Sequence, residues 1–287
     1  MSRVIGICGR EGAGKTSAAD VIASRVDTYT KTCTNPWAYI LHTLFGWNYI
    51  KLWERIPVAR SRVVLSNIQT NMKPDPIWGL TPKRALMFTI DALDRIFPEG
   101  AVNAVQDSFQ GIFVQSGHTD CVQLSLADPL KRMCTVFGFD YDVLQGITPE
   151  TRARREQEVR QFGSVQFTGR TLLEQVGTNA FRNHFDQDFW IKIAKREILA
   201  YRQSGISVVI PDIRFSNELS LLKELDGDLW VVYRNSEDLL LTDSDRQNHP
   251  AKWNFLTFIR DPIAHHIANT GSLVDFQQKI NQMFSST

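Results

Sequence analysis

The chain opens with a short apolar run that leads into GREGAGKTS at residues 9–17, and this stretch decides the expected fold. Two glycines separated by four residues, the second followed by lysine and threonine, complete the pattern G-x-x-x-x-G-K-T. Residues 4–8 have the composition of a buried strand, and residues 17–26 have the apolar spacing of a helix. A strand, a glycine-rich turn and a helix in this order predict a backbone loop that binds phosphate groups at the positive end of the helix dipole.

This pattern predicts a site for a nucleoside triphosphate. We expect Lys15 to neutralise the β- and γ-phosphates of ATP and Thr16 to offer its hydroxyl to Mg²⁺. The alternative is a glycine-rich turn that only starts a helix, and a pattern this restrictive in a strand–helix setting disfavours it. The expected ATP-binding residues are Gly9, Gly12, Ala13, Gly14, Lys15, Thr16 and Ser17.

The overall composition argues against several other functions. With 32 basic and 31 acidic residues the formal net charge is +1, so no global charge favours a nucleic acid or a membrane surface as partner. The four cysteines lie far apart without C-x-x-C spacing, which is typical of isolated buried thiols rather than a zinc site or a disulfide framework. No window approaches the roughly 18 consecutive apolar residues of a membrane span. These features predict a soluble protein of a reducing cytoplasm.

Beyond the glycine-rich turn, apolar strands alternate with helical patterns. Residues 121–126, 206–211 and 229–234 have strand composition, and the second run is apolar apart from Ser207, as a central parallel strand should be. The alternation predicts an α/β fold with a parallel sheet flanked by helices. The helix signals are Asp128 as N-cap with Gly138 at the end, the pair Thr148-Pro149, the spacing of residues 170–185, Asp188 as cap of a helix that ends before Gly205, Ser216 as a first residue, and Ser272 as cap of a terminal helix over residues 271–284.

The segment 35–118 departs from this alternation. It is rich in aromatic residues and contains a helix pattern over residues 82–97 behind Thr81, with Leu86, Ile90, Leu93 and Phe97 on one face. We therefore expect one domain with its core at residues 1–34 and 119–287, and an inserted helical lobe at 35–118. A direct role of this lobe in substrate binding is the alternative.

Three further runs accompany the glycine-rich turn. They are LADPLKR at residues 126–132, TGRTLLEQVGTNAFRNHFDQDFWI at 168–191 and VVIPDIRFSNE at 208–218. In this order they resemble the deoxynucleoside monophosphate kinases of bacteriophages and large DNA viruses. The resemblance covers roughly the first 30 residues and the chain from residue 121 onward, and leaves the segment between unexplained. It implies a P-loop kinase core, phosphoryl transfer from ATP to a deoxynucleoside monophosphate with Mg²⁺, and, for a viral chain, the host cytoplasm as location.

The same resemblance implies roles for particular residues. Guanidinium groups suit a dianionic phosphate, and an aromatic surface suits a base. For Trp190 the alternative is a place in the core, and for Arg182 and Lys131 it is a place on the surface. For Asp212 and Glu218 the alternative is a role in a turn or at a helix start. The implied catalytic residues are Lys15, Arg170, Asp212 and Arg214, and the implied substrate-binding residues are Lys131, Arg170, Gly177, Thr178, Arg182, Trp190, Asp212, Arg214 and Glu218.

Residues 148–170 carry a cluster of arginines, which suggests a mobile lid that closes over the triphosphate. The alternative is a solvated helix face. The candidate lid arginines are Arg152, Arg154, Arg155 and Arg160.

Two rival functions remain open on the sequence. One is a different small-molecule P-loop kinase, similar to the animal phosphomevalonate kinases, and the other is a nucleic-acid-linked P-loop NTPase. The near-neutral net charge disfavours the second. The sequence also leaves open whether the protein forms a homodimer.

Overall fold

The structure, a computed structural model, describes residues 2–23, 28–46, 62–66, 72–106, 109–116, 120–247 and 253–286. The chain divides into two units. The sheet unit comprises Met1–Tyr29, Ser116–Leu126 and Ala194–Thr287, and the helical unit comprises Thr30–Gln115 and Ala127–Ile193. The predicted lobe at 35–118 falls mostly in the helical unit, and its role as an insertion stays a prediction.

The described strands are β1 (Val4–Cys8), β2 (Thr28–Cys33), β3 (Gly111–Ser116), β4 (Cys121–Gln123), β5 (Val159–Phe162), β6 (Val165–Thr168), β7 (Ser207–Ile210), β8 (Asp228–Tyr233) and β9 (Ala264–Ala268). The described α-helices are α1 (Lys15–Ile22), α2 (Pro36–Phe45), α3 (Arg62–Ser66), α4 (Pro82–Asp94), α5 (Ala101–Ala104), α6 (Asp128–Cys134), α7 (Tyr141–Gln145), α8 (Pro149–Gln157), α9 (Gly169–Glu174), α10 (Phe189–Gln203), α11 (Ser216–Glu224), α12 (Asp243–Arg246) and α13 (Leu273–Ser286). Three short 3₁₀ turns and a π-helical turn at Gln175–Arg182 complete the described elements.

The sheet unit is built on five parallel strands in the order β4-β7-β1-β8-β9. Strands β1 and β7 are buried along their whole length, which explains why their residues other than Gly6 and Ser207 are apolar. Helices α1 and α13 pack together, and α11 packs on β1 and β8. The predicted α/β fold with a parallel sheet flanked by helices is confirmed.

The helical unit has its own apolar core. It contains Leu86, Ile90 and Leu93 of the predicted helix face, which are all fully buried on α4. Phe97 is buried as well, but it lies beyond the helix, which ends at Asp94 rather than at the predicted residue 97. Asn35 starts α2 by accepting hydrogen bonds from the backbone N–H groups of the helix start, and Pro149 follows the N-cap Thr148 as predicted. Two small β-ladders, β2 with β3 and antiparallel β5 with β6, also occur in the described part of the chain.

Two predicted helix starts are wrong. Helix α1 begins at Lys15 rather than residue 17, because Gly14 adopts the left-handed conformation of an N-cap. Residues 24–26 of that predicted helix lie outside the described residues. Asp128 is the first residue of α6 rather than its cap, and its carboxylate accepts a hydrogen bond from Gln145 at 2.9 Å instead. Gly138, with φ of 87°, ends this helical stretch as predicted.

The candidate lid is only partly helical. Helix α8 is followed by a hairpin in which Phe162 pairs with Val165 across Gly163 and Ser164. Phe162 and Phe167 are buried beside the rings of Phe97 and Phe137. The sequence reading missed this hairpin, although two alternating runs around a Gly-Ser pair are its usual signal.

All four cysteines are free and buried, as predicted. Among the described helices, none combines the length and apolar character needed to span a bilayer.

Candidate functional site

The glycine loop, residues 9–15, connects β1 to α1 and adopts a conformation that most residues cannot. Gly9, Gly12 and Gly14 have φ angles of 148°, 79° and 105°. A Cβ atom on Gly9 would lie 2.2 Å from the carbonyl oxygen of Val232, and one on Gly14 would lie 2.5 Å from Nδ2 of Asn269. Both glycines are therefore required by close packing as well as by backbone angle.

Two hydrogen bonds fix the loop at Ala13. Its backbone N–H donates to the Arg10 carbonyl at 3.2 Å, and its carbonyl accepts from Nδ2 of Asn269 at 2.7 Å. The residue that precedes α1 is a glycine, so no side chain caps the helix, and no acidic residue stands in its first turn. The first N–H groups of α1 therefore remain available to an anion, which the helix dipole also favours. Thr16 is exposed and Ser17 is half-buried in this turn.

Lys15 folds back over the loop. Its Nζ donates to the carbonyls of Gly9 at 2.9 Å and Arg10 at 2.8 Å. Burial lowers the pKa of Lys15, while the nearby carboxylate of Asp212 opposes this shift and Arg214 adds to it. The ammonium thus lies at the loop and close to both side chains.

Asp212 and Arg214 lie at the same edge of the sheet as the glycine loop. They follow β7, which is parallel and adjacent to β1, and the N–H of Ile213 donates to the Ile7 carbonyl at 2.9 Å. The two side chains form a bidentate ion pair with distances of 2.8 and 2.6 Å. Ligands of parallel α/β sheets bind at this edge. The structure thus brings three of the predicted catalytic residues together within the sheet unit.

Glu218 shapes the turn that carries Arg214. It is 7% exposed and accepts hydrogen bonds from the N–H groups of Arg214 at 2.6 Å and Phe215 at 3.0 Å. These contacts match the helix-start role that was the alternative to substrate contact.

Cys8 ends β1 directly before the loop. Burial raises the pKa of its thiol to about 12, with Lys15 opposing the shift. The thiol therefore stays protonated at neutral pH, when it is a poor nucleophile.

The other predicted substrate residues lie in the helical unit. Gly177, Thr178 and Arg182 belong to the π-helical turn, in which the N–H of Asn183 donates to the Thr178 carbonyl at 2.8 Å. Gly177 is buried and Thr178 is exposed. Trp190 is 3% exposed, and its Nε1 donates to the Gly177 carbonyl at 2.9 Å. This places Trp190 in the core, and its contact with a base stays a prediction.

Lys131 and Arg170 have partners within the same unit. Nζ of Lys131 donates to Oε1 of Gln145 at 2.7 Å and lies 3.8 Å from Asp128. Arg170 is exposed and donates from Nε to Glu174 at 2.7 Å. Neither placement tests the predicted contact with substrate.

Three of the candidate lid arginines pair with a carboxylate of the lid region, and the fourth, Arg152, contacts a backbone carbonyl just before it. Arg154 and Arg160 both pair with Glu158, and the Arg160 guanidinium lies 5.7 Å from the centre of the Phe139 ring. Arg155 pairs with Glu156 at 3.0 Å, and Nε of Arg152 lies 3.4 Å from the Gly146 carbonyl. The ion pairs among these contacts each involve at least one exposed side chain, so water screens them and each contributes little to stability.

Sequence reasoning missed one side chain that holds the glycine loop. Arg10 forms a bidentate ion pair with Asp245, with oxygens at 2.7 and 2.9 Å from its nitrogens. No local pattern signals this contact, because its partners are 235 residues apart. Asn269, which donates to the Ala13 carbonyl, lies three residues before Ser272, the predicted cap of the last helix.

Comparison with known proteins adds an independent observation. Residues 144–280 match the family model described as deoxynucleotide monophosphate kinase. A protein of Acanthamoeba polyphaga mimivirus named "Putative deoxynucleotide monophosphate kinase" is 30% identical over 125 residues, which cover 39% of this chain and 61% of the relative. The family match includes Arg170, the π-helical turn and Asp212, and it begins after the glycine loop and Lys131. These matches confirm the resemblance that the ordered motifs predict: over residues 144–280, this chain is similar to the deoxynucleotide monophosphate kinases, and the aligned stretch spans less than two thirds of the mimivirus protein's length.

Proposed function

We propose that this protein transfers the γ-phosphoryl group of ATP to the phosphate of a deoxynucleoside monophosphate. The observation that carries the proposal is the glycine loop with Lys15 beside the Asp212–Arg214 pair, at one edge of a parallel sheet. The family match over residues 144–280 supports a deoxynucleotide as acceptor.

The ATP end of the reaction uses the glycine loop. The N–H groups at the start of α1 fit an anion, because no side chain caps this helix and its dipole favours negative charge. Gly12 supports this fit, since a Cβ atom there would meet no described atom within 4 Å beyond its chain neighbours, so the loop leaves space for phosphate oxygens. Lys15 would exchange its contacts with the Gly9 and Arg10 carbonyls for the β- and γ-phosphates.

The Mg²⁺ that accompanies ATP would be held by phosphate oxygens and the Thr16 hydroxyl, and it neutralises charge on the transferred group when bound. The exposed position of Thr16 at the start of α1 is compatible with this contact.

The acceptor end uses cations and the turn after β7. We assign Arg214 and Arg170 to the charge on the transferred and acceptor phosphates, and Arg182 and Lys131 to the acceptor phosphate. Asp212 holds the Arg214 guanidinium in place by its bidentate contact. In the same proposal Gly177 and Thr178 contact the nucleotide and Trp190 lies beside its pocket, while Glu218 fixes the turn.

The step itself balances without an added base. An oxygen of the dianionic acceptor phosphate forms a bond to the γ-phosphorus as the bond from that phosphorus to the β-phosphate oxygen breaks, and ADP leaves. The charges of the two reactants equal those of the two diphosphate products, so no net proton is needed. The protein's contribution is alignment and stabilisation of charge.

The lid arginines extend this proposal. To reach the transferred phosphate, Arg154, Arg155 or Arg160 would have to leave Glu156 or Glu158, and exposed pairs of this kind are weak because water screens them. A closing lid would also exclude water from the reaction.

The test is direct. We would incubate the full chain with ATP, Mg²⁺ and each deoxynucleoside monophosphate or ribonucleoside monophosphate in turn, and separate diphosphate products by ion-exchange chromatography. We expect diphosphate from at least one deoxynucleotide, and none from the Lys15→Ala variant. Turnover of mevalonate 5-phosphate alone, or ATP hydrolysis that requires DNA, would contradict the proposal.

A further inference from the structure

The side chain of Arg10, the second residue of the glycine loop, leaves the loop and contacts a segment far along the chain. Its Nε donates to the Asp238 carbonyl at 3.0 Å, and its Nη2 donates to the Leu240 carbonyl at 2.8 Å. Nη1 and Nη2 also bind the two carboxylate oxygens of Asp245 at 2.7 and 2.9 Å. One guanidinium thus holds residues 235–246, which we call the strap.

Hydrogen bonds within the strap hold its acceptor oxygens towards the Arg10 guanidinium. The N–H and hydroxyl of Thr242 donate to Asp245 at 2.9 and 2.8 Å, and the Asp245 N–H donates back to the Thr242 hydroxyl at 3.2 Å. The hydrogen bond from Arg10, together with those from Thr242, holds the pKa of Asp245 well below its usual range. The carboxylate is therefore ionised whenever the protein is near neutral pH.

The ion pair between Arg10 and Asp245 is shielded enough from water to contribute measurably to stability. The Arg10 and Asp245 side chains are 25% and 15% exposed, so water screens them less than a surface pair. Bidentate arginine–carboxylate geometry also fixes orientation, which a lysine could not reproduce.

The backbone of Arg10 is part of the loop's internal bonding. Its carbonyl accepts from Nζ of Lys15 at 2.8 Å and from the Ala13 N–H at 3.2 Å. The residue that anchors the strap by its side chain thus also supplies the carbonyl around which the loop turns. Movement of Arg10 would displace the groups that the proposed function assigns to the phosphates.

We propose that Arg10 and Asp245 are positioning residues that hold the glycine loop in its phosphate-binding conformation. The expected effect on catalysis rests on the proposed function. That Arg10 holds the loop rests on the contacts of Arg10 alone. If the pair only fastened the strap to the rest of the sheet unit, its loss would change stability without selectively weakening ATP binding.

Steady-state kinetics of the full chain separate these roles. We would compare Arg10→Ala and Asp245→Asn with Arg246→Ala, which removes an exposed arginine from the same strap. The first two variants should raise the KM for ATP by about tenfold, the loss expected when a hydrogen bond to a charged group is removed, and leave the KM for the acceptor unchanged. Asp245→Asn keeps the loop sequence intact and guards against misfolding of the loop variant.

The double variant completes the kinetic test. If the two residues act as one unit, the Arg10→Ala/Asp245→Asn chain should bind ATP no more weakly than Arg10→Ala alone. Equal increases in both KM values, or an unchanged KM for ATP, would overturn the inference.

Hydrogen exchange tests the anchor without nucleotide. Amides of residues 9–16 should exchange faster in Arg10→Ala and Asp245→Asn than in Arg246→Ala. If the wild-type chain phosphorylates no deoxynucleotide, the proposed function is refuted. Hydrogen exchange would then still test whether Arg10 and Asp245 hold the glycine loop. Unchanged exchange of these amides in both variants refutes the anchor.

Discussion

Replacing Gly12 by alanine should separate phosphate binding from folding. Gly12 has a φ of 79°, and apart from its chain neighbours no described heavy atom lies within 4 Å of the place its Cβ would occupy. The added methyl group therefore meets no protein atom, and enters the space that we assign to phosphate oxygens.

The two effects have different sizes. A left-handed φ costs alanine about 1–2 kcal/mol, so the free energy of unfolding should fall by that amount. A methyl group that separates a phosphate oxygen from one backbone donor removes a hydrogen bond to a charged group, worth about 1.5–3 kcal/mol. The dissociation constant for ATP should then rise by about tenfold to a hundredfold.

Gly205 provides the matched control. Its φ is also 79°, its Cβ position is equally open, and it follows α10 rather than the glycine loop. Urea unfolding should show the same loss of stability for Gly12→Ala and Gly205→Ala, and calorimetric titration should show weaker ATP binding for Gly12→Ala alone. ATP affinity that is normal in Gly12→Ala, or equally reduced in both variants, would refute the assignment of phosphate to this space.

Three further predictions concern single side chains. Lys15→Ala should abolish ATP binding in calorimetry yet change the free energy of unfolding by less than about 1 kcal/mol, because relief of the burial that lowers the pKa of Lys15 offsets its lost hydrogen bonds. Arg10 keeps the pKa of Asp245 below its unfolded value of about 3.9, so the stabilisation from Asp245 is complete above that pH and is lost as the pH falls below it. Urea unfolding at several pH values should therefore show Asp245→Asn approaching wild-type stability in acid, and a constant difference would contradict this. Trp190→Phe should lower the free energy of unfolding by about 1–3 kcal/mol more than Trp37→Phe, measured by urea unfolding.

Four strands of the sheet, β1, β4, β7 and β8, could be predicted from the sequence because burial favours apolar residues along them. β7 shows this best, since all four of its residues are buried. The edge on which Asp212 lies follows from the same pattern, because the carboxyl ends of adjacent parallel strands share one edge. β9, with the sequence Ala-His-His-Ile-Ala, was not predicted.

The hairpin at β5 and β6 was predictable in principle. One face carries Phe162 and Phe167, and the turn contains Gly163 with φ of 60°, as a two-residue hairpin requires. The arginines around it predict a charged lid, whereas the buried rings of Phe162 and Phe167 determine its structure. The contact between Arg10 and Asp245 differs in kind, since only the completed fold brings these two residues together.

The π-helical turn departs from its sequence pattern for a reason that the Trp190 variant tests. The spacing of residues 170–185 predicts a continuous α-helix, but the structure has a π-helical turn at Gln175–Arg182. The Gly177 carbonyl accepts the buried indole N–H of Trp190, and a Cβ on Gly177 would lie 2.8 Å from a Leu130 methyl carbon, so a side chain at this position would have to displace Leu130.

Trp190→Phe keeps a ring in the core and removes the donor, which leaves a buried carbonyl without that bond at a cost of about 1–3 kcal/mol. Trp37 is the control, because it is equally buried and no described residue accepts a hydrogen bond from its Nε1. Both variants lose similar ring volume, so the difference between them comes from the hydrogen bond to Gly177 and from the buried Trp37 N–H, which has no described acceptor and is removed in the control. Equal losses of stability would show that the π-helical turn does not depend on Trp190.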